Sequence, residues 1–321
     1  MPLFTVHEVI AVTGAKVVRP VQGSLPIARL CADSRQVRRG DLFVAFRGEQ
    51  VDGHQFLAAA QAKGAVGALI EDASRLPAGA GSSTRRSFCG LVVPDVLSAY
   101  QQLAAAHRNR FRIPLVAVTG SNGKTTTKEM VAAVLAEAMN VLKTEGNFNN
   151  RIGVPHTLFR LPRRHRAAVI EMGVDHAGQT TRLCEIARPT HGLITNIGPD
   201  HLEFFGTMQV SAQAKGELLD LLPAEGAVAL NADDAYFGYL RSRARCRVIS
   251  FGLSPSAEVR AMDIQDRAGA GAGFGLVLPG RRQRTRVTLR VHGTHNVCNA
   301  LAAAAIGHVL SIPATKIARG L

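Results

Sequence analysis

At 321 residues the chain is long for one ordinary domain and divides more naturally into two, each large enough to bury its own core. With 46% hydrophobic and 19% charged residues the composition excludes an intrinsically disordered chain, and no apolar stretch reaches the ~18 residues of a membrane span. The net charge of +14 admits a polyanionic partner, but the arginines are thinly spread and no aromatic stacking platform accompanies them, so specific nucleic-acid binding is not expected.

The opening MPLFTVHEVI lacks the basic and long apolar regions of a secretory signal, so a cytoplasmic chain without membrane insertion is expected. Residues 1–76 read as a small α/β unit, with strands over 42–46 and 66–70 and a helix over 54–63. The breaker-rich PAGAGSSTRRS at 77–87 reads as a linker. A strand over 91–93 closes the first domain, which sets the domains at 1–94 and 95–321.

From there, short β-branched runs alternate with helical segments. That order predicts a P-loop-type central domain with a mostly parallel sheet and helices on both faces. Its strands lie over 115–118, 168–170, 192–196, 227–230 and 247–251. Between the first two, a helix over 125–139 carries Met130, Val131, Val134, Leu135 and Ala138 on one stripe. Two arginine groups, Arg241/Arg243/Arg245/Arg247 and Arg281/Arg282/Arg284/Arg286/Arg290, alternate as solvent-facing strand positions do. The glycine-rich 259–291 predicts a small antiparallel extension, followed by an alanine-rich helix beginning near Asn296 and capped by it. Cys31, Cys89, Cys184, Cys246 and Cys298 are odd in number and form no CxxC, which favours reduced thiols over disulfides or a zinc site.

The sharpest local feature is LVAVTGSNGKTTT, a buried strand running through a glycine turn into a helix. Such a turn aims backbone N–H groups and a positive helix end at phosphate. Gly120 and Gly123 permit close approach, Lys124 suits the β/γ-phosphates, and the Thr125 hydroxyl suits magnesium. Val118 stands where the general P-loop pattern has glycine. Glu171, at a strand's carboxyl end, is placed for a hard cation, and Asp200 and His201 follow a further strand at the same edge.

With these residues the chain resembles the Mur ligase family over essentially its whole length; TGSNGKTTT is the shorter loop found there and in folylpolyglutamate synthases. The resemblance implies that Gly120, Ser121, Asn122, Gly123, Lys124, Thr125 and Thr126 bind ATP, with Lys124, His201 and Lys215 catalytic. It implies further that Thr125, Glu171, His201 and Lys215 hold Mg²⁺, with Lys215 of the AKGE run carbamylated. The run GTHNVCNALAA is similar to the family's HNxxNxxAA motif, which implies His295 and Asn296 near the adenine. GNFNNRIGVP resembles the branch that adds D-Ala-D-Ala to UDP-MurNAc-tripeptide, which implies substrate contacts at Asn147, Asn149 and Asn150. ADSRQVRRGDLFVA with GEQVDGHQF looks like the family's UDP-sugar-binding domain, with Ser34 and Arg35 as candidate contacts.

Two departures stand out. Asp200 replaces a more usual alanine of that branch, and Asp175-His-Ala-Gly-Gln replaces a more usual N-H-x-G-E. The family's third domain, which closes over ATP, is expected to be absent from these 321 residues, so the chain alone is expected to be a weakly nucleotide-binding, largely inactive monomer. The alternatives are a diaminopimelate- or lysine-adding Mur ligase, folylpolyglutamate synthase, or a non-catalytic nucleotide- or polyanion-binding module.

Overall fold

A computed structural model describes residues 2–18, 25–77, 88–200, 202–267, 271–281 and 283–321, without the side chains of Leu202, Asp266 and Arg267. Beyond Pro77, the expected linker lies outside the described residues, as do His201 and Arg282. The chain divides into two compact units, Met1–Arg110 and Phe111–Leu321.

In the first unit, strand β1 (Phe4–Thr5) leads into helix α1 (Val6–Thr13), whose start is fixed by a capping box between Thr5 and Glu8 and whose end is closed by Gly14 at φ 66°. Strand β2 (Lys16–Val18) follows, then β3 (Pro26–Ile27), antiparallel to β1. Strands β4 (Leu30–Cys31) and β5 (Leu42–Val44), helix α2 (Leu57–Ala62), and strands β6 (Gly67–Ile70) and β7 (Cys89–Val92) complete a five-stranded sheet of order β2-β7-β6-β5-β4. Strands β4 to β7 run parallel and β2 is antiparallel at the edge. Helix α3 (Val96–Arg108) belongs to this unit, so the compact division falls beyond the expected boundary near residue 94. The reason is packing: Val96 and Leu103 are fully buried, the Val96 N–H donates to Glu71 Oε1 at 3.0 Å, and His107 meets the Phe4 ring edge-on at 6.1 Å between centroids.

The second unit opens with β8 (Leu115–Thr119), α4 (Lys124–Ala136), β9 (Val141–Lys143), α5 (Gly153–Phe159) and β10 (Ala167–Glu171). It continues through α6 (Gln179–Ala187), β11 (His191–Ile194), α7 (Leu202–Phe205), α8 (Met208–Asp220), β12 (Ala227–Asn231), α9 (Phe237–Arg243) and β13 (Arg247–Gly252). Strands β14 (Val259–Arg267), β15 (Gly271–Val277) and β16 (Thr285–Thr288) precede helices α10 (Thr294–Val309) and α11 (Ala314–Gly320). All nine strands form one sheet of order β16-β15-β14-β13-β12-β11-β8-β10-β9. It is parallel from β9 to β14 and antiparallel from β14 to β16, which matches the expected extension.

The central parallel strands β8, β10, β11 and β12 are mostly apolar and buried, as strands covered on both faces must be: on one face Val116, Val118, Val169, Leu193 and Ala229 pack with Val131, Val134 and Leu135 of α4 and with the alanine-rich face of α10. Two readings need correction. Arg241 and Arg243 lie on α9 rather than on a strand, and Arg243 turns inward to fork onto Asp220, with Nε 3.0 Å from Oδ1. Their spacing resembled a strand because two charged residues two apart carry no periodicity of their own. Helix α10 begins at Thr294 with Gly293 as its cap at φ 97°; Asn296 sits inside the first turn and donates to the His292 carbonyl at 2.8 Å. Among the described residues no helix is long and apolar enough to cross a membrane.

Candidate nucleotide and cation site

Strand β8 lies between β10 and β11, where the strand order reverses direction, and its carboxyl end therefore opens into the crevice that such sheets use for ligands. Three chain segments meet there. The loop Gly120–Gly123 leaves β8, Glu171 ends β10 directly opposite Val118, and Thr195 follows β11. Gly120 has φ 136° and runs so close to the next strand that a Cβ would stand 2.9 Å from the Thr195 backbone nitrogen. Gly123, at φ 78°, turns the chain into α4 with no side-chain cap, which leaves the helix's first N–H groups available.

The loop is braced from β11. The Asn122 N–H donates to Asn196 Oδ1 at 3.1 Å, while its carbonyl accepts from Thr195 Oγ1 at 2.6 Å and from Asn196 Nδ2 at 3.0 Å. Lys124 Nζ folds over the loop and donates to the carbonyls of Gly120 at 2.7 Å and Ser121 at 2.8 Å. Burial lowers its proton affinity, while the Asp200 and Glu171 carboxylates act to raise it. The Lys124 side chain is held within the loop crevice by these two carbonyls.

Glu171 is 2% exposed, and its two oxygens have different surroundings. Oε1 accepts from Thr125 Oγ1 at 3.1 Å and from Asn149 Nδ2 at 2.9 Å. Oε2 is buried with no hydrogen-bond partner. Across the loop, Asp200 Oδ1 accepts from Ser121 Oγ at 2.7 Å and Lys215 Nζ at 3.0 Å, while Oδ2 is again buried and unpartnered. Lys215 is 1% exposed, donates also to Ser211 Oγ at 2.6 Å, and lies over the Phe205 ring at 4.6 Å. Burial lowers its pKa and Asp200 opposes that shift; for Asp200 itself, burial raises the pKa but the hydrogen bonds from Ser121 and Lys215 outweigh it and leave a net lowering. Buried carboxylate oxygens without a donor suit a hard cation. Among the described residues no group of three or more His, Cys, Asp or Glu is arranged to hold a metal, and His201, expected to share in one, lies outside them.

A cavity of about 310 Å³ opens beside the loop, lined by Asn122, Gly123, Thr195, Asn196, Asn231 and His295, with Phe251 and Ala302 among its apolar walls. His295 therefore lies where a base could follow a loop-bound phosphate, whereas Asn296 is not in the lining. Asn299 is a residue that sequence reasoning passed over: it is buried, accepts from Thr127 Oγ1 at 3.1 Å, and meets Asn296 Oδ1 at 3.3 Å. Its signal was the asparagine pair three apart on one helical face.

The expected substrate residues separate. Asn149 reaches Glu171, Asn150 instead accepts the N–H groups of Ile152 at 3.1 Å and Gly153 at 2.9 Å to fix the start of α5, and Asn147 is exposed. In the first unit Arg35 is exposed and forks onto Asp33 with both contacts at 2.9 Å, and the Ser34 and Arg35 carbonyls accept from Lys63 Nζ at 3.0 and 2.8 Å.

Strand, glycine turn, helix and flanking carboxylates at the switch point of an open parallel sheet define the class of P-loop-type α/β proteins. Residues 118–307 match the Mur ligase middle domain and residues 26–117 the Mur ligase family, catalytic domain. The chain belongs to the Mur ligase family. It is 40% identical over 296 residues to a UDP-N-acetylmuramoyl-tripeptide–D-alanyl-D-alanine ligase of Synechocystis, an alignment that covers 92% of this chain and 61% of the relative. The chain therefore spans about three fifths of that relative's length. A crystal structure of MurF from Acinetobacter baumannii superposes with a TM-score of 0.89 at 32% identity, over 99% of this chain and 67% of that one. MurF from Thermotoga maritima, in complex with ADP, gives 0.75 at 26% identity, over 90% of this chain and 65% of that one.

Proposed function

We propose that these two units bind ATP and UDP-MurNAc-tripeptide in an ATP-dependent ligase that joins D-Ala-D-Ala to the tripeptide. The observation that carries the reading is the loop itself, braced at both ends with Lys124 held over it beside the Glu171 carboxylate. The names of the relatives supply the substrates, and the ADP complex of the Thermotoga maritima protein supports a nucleotide in the crevice.

A carboxylate is a poor acyl donor, so it is first activated. One of its oxygens forms a bond to the γ-phosphorus of ATP as the bond to ADP breaks, and the amine then attacks the carbonyl carbon with loss of phosphate. Lys124 and the free N–H groups at the start of α4 are placed to hold phosphoryl oxygens, and the apolar wall of Phe251 and Ala302 to exclude water from the base. The unpartnered Glu171 Oε2, with the Thr125 hydroxyl on the same carboxylate, fits Mg²⁺, which would offset the charge of the transferring phosphoryl group. Burial lowers the Lys215 pKa and so enlarges the share of neutral amine that carbamylation by carbon dioxide requires; the carbamate would then stand beside Asp200, and two neighbouring anions call for a cation.

The test is phosphate release by the protein carrying these two units. Release that needs ATP, UDP-MurNAc-tripeptide and D-Ala-D-Ala together is expected, with the joined peptide seen by mass spectrometry and at least a hundredfold loss in Lys124→Ala. Equal release without the amine, or undiminished release in Lys124→Ala, would refute the reading.

A further inference from the structure

Three lysines surround the crevice, and each is held differently. Lys124 rests on loop carbonyls and Lys215 on Asp200, so both face the places where ligands are proposed. Lys128, one turn into α4, is 1% exposed and stands behind Glu171. Its Nζ donates to the Thr144 carbonyl at 2.9 Å and pairs with Glu129 Oε1 at 2.9 Å, while Glu171 Oε2 lies 3.8 Å away.

That last distance separates two effects. At 3.8 Å the attraction between an ammonium and a carboxylate is substantial in a dry interior, because Coulomb energy falls only as the inverse of distance. A hydrogen bond at that distance is not formed, so the lone pairs of Oε2 are left unused. Lys128 therefore balances the Glu171 charge without donating a hydrogen bond to Oε2, which keeps its lone pairs for a cation. The rest of the carboxylate is fixed from other sides: Oε1 by Thr125 and Asn149, and the Glu171 N–H by Thr144 Oγ1 at 3.0 Å. Thr144 thus serves both partners, with its carbonyl to the lysine and its hydroxyl to the glutamate backbone.

The charges continue outward. Glu129 is shared between Lys128 and Lys143, which also bonds to it directly, so positive and negative groups alternate from the surface to the crevice as Lys143, Glu129, Lys128 and Glu171. Burial pushes the Glu129 carboxyl up, and the two ammonium groups more than reverse this, leaving it below the ordinary value. An unpaired buried carboxylate turns away toward any available donor or water, since leaving it uncompensated is costly. With Lys128 in place, Glu171 can remain where it is before a cation arrives.

We infer that Lys128 is a positioning residue that holds Glu171 with Oε2 open for a divalent cation. The inference rests on the proposed cation role of Glu171, and the test separates the two. The binding of a fluorescent ATP analogue to the full chain is followed as MgCl₂ is varied, in the parent protein, Lys128→Met, Lys128→Gln, Lys128→Arg and Glu171→Gln. The half-saturating MgCl₂ concentration is expected to rise about tenfold in Lys128→Met, with nucleotide affinity at saturating MgCl₂ within about twofold of the parent and partial recovery in Lys128→Arg. Lys128→Gln keeps a donor for the Thr144 carbonyl but loses the charge, so it gives the same rise and serves if the methionine variant does not fold. An unchanged or lower half-saturating concentration in a folded, charge-deleted variant would overturn the inference, because a lysine that merely repels the cation would give the second result. Should Glu171→Gln leave the MgCl₂ dependence as it was, the cation role of Glu171 itself fails.

Discussion

Lys215 and Asp200 form an ion pair of 3.0 Å in which the lysine is 1% and the aspartate 14% exposed at the side chain. The same aspartate oxygen accepts from Ser121 of the Gly120–Gly123 loop, so one carboxylate ties that loop to helix α8. Asp200 is thus a brace in the sequence position where the resemblance leads one to expect alanine.

Replacing it should be felt in stability. In carbon-dioxide-free buffer Asp200→Ala leaves the Lys215 ammonium buried with only Ser211 and the face of Phe205. Removing one member of a buried pair costs ~3–5 kcal/mol, and the partial exposure of Asp200 reduces that to about 2–3 kcal/mol, read by urea unfolding. A loss below about 1 kcal/mol would show that the hydroxyl and the ring suffice for the lysine.

Adjacent asparagines should separate cleanly. Asn150→Ala removes the acceptor for two N–H groups at the start of α5 and costs about 1 kcal/mol of stability, with nucleotide binding little changed. Asn149→Ala removes a donor to Glu171 and is expected to weaken magnesium-dependent nucleotide binding several-fold at little cost in stability. Calorimetry and nucleotide titration of the two variants check this, and reversed effects would exchange the roles.

In the first unit the fork of Arg35 holds the Asp33 carboxyl down at about 2 from an ordinary 3.8. A carboxyl lowered in the folded state contributes stability that is fully present above its unfolded value and is lost as pH falls through its folded one, so the window is from about pH 4 down to 2. In Arg35→Gln the carboxyl titration followed by ¹³C NMR should move up toward the ordinary value. A midpoint that stays near 2 would mean that backbone donors alone hold it.

What could be read in advance follows from the kind of signal. The central parallel strands were legible as apolar runs because both faces are covered, and the turn from β8 into α4 was legible because its glycines, lysine and threonine are contiguous. Glu171 was placed at a strand's end by the same run. Lys128 was not legible: a lysine one turn into an amphipathic helix is ordinarily solvated, and only the approach of Thr144 and Glu171, distant in sequence, encloses it. Asn299 escaped notice for the same reason, since its partner Thr127 lies 172 positions earlier. The start of α10 was misjudged because Gly293 caps it by backbone conformation, and a glycine leaves no side-chain signature. His201 lies outside the described residues, so its expected role stands where the sequence left it.

The central position of β8 also bears on how the chain matures during synthesis. The loop that follows it leaves the ribosome before its neighbours at Glu171, Thr195 and Asn196, and Asn299 is added later still. Contacts of such separation form slowly. A nascent polypeptide halted before α10 would therefore carry the Gly120–Gly123 loop without the Asn299 side chain behind it, and the proposed nucleotide site would be complete only once α10 has been made.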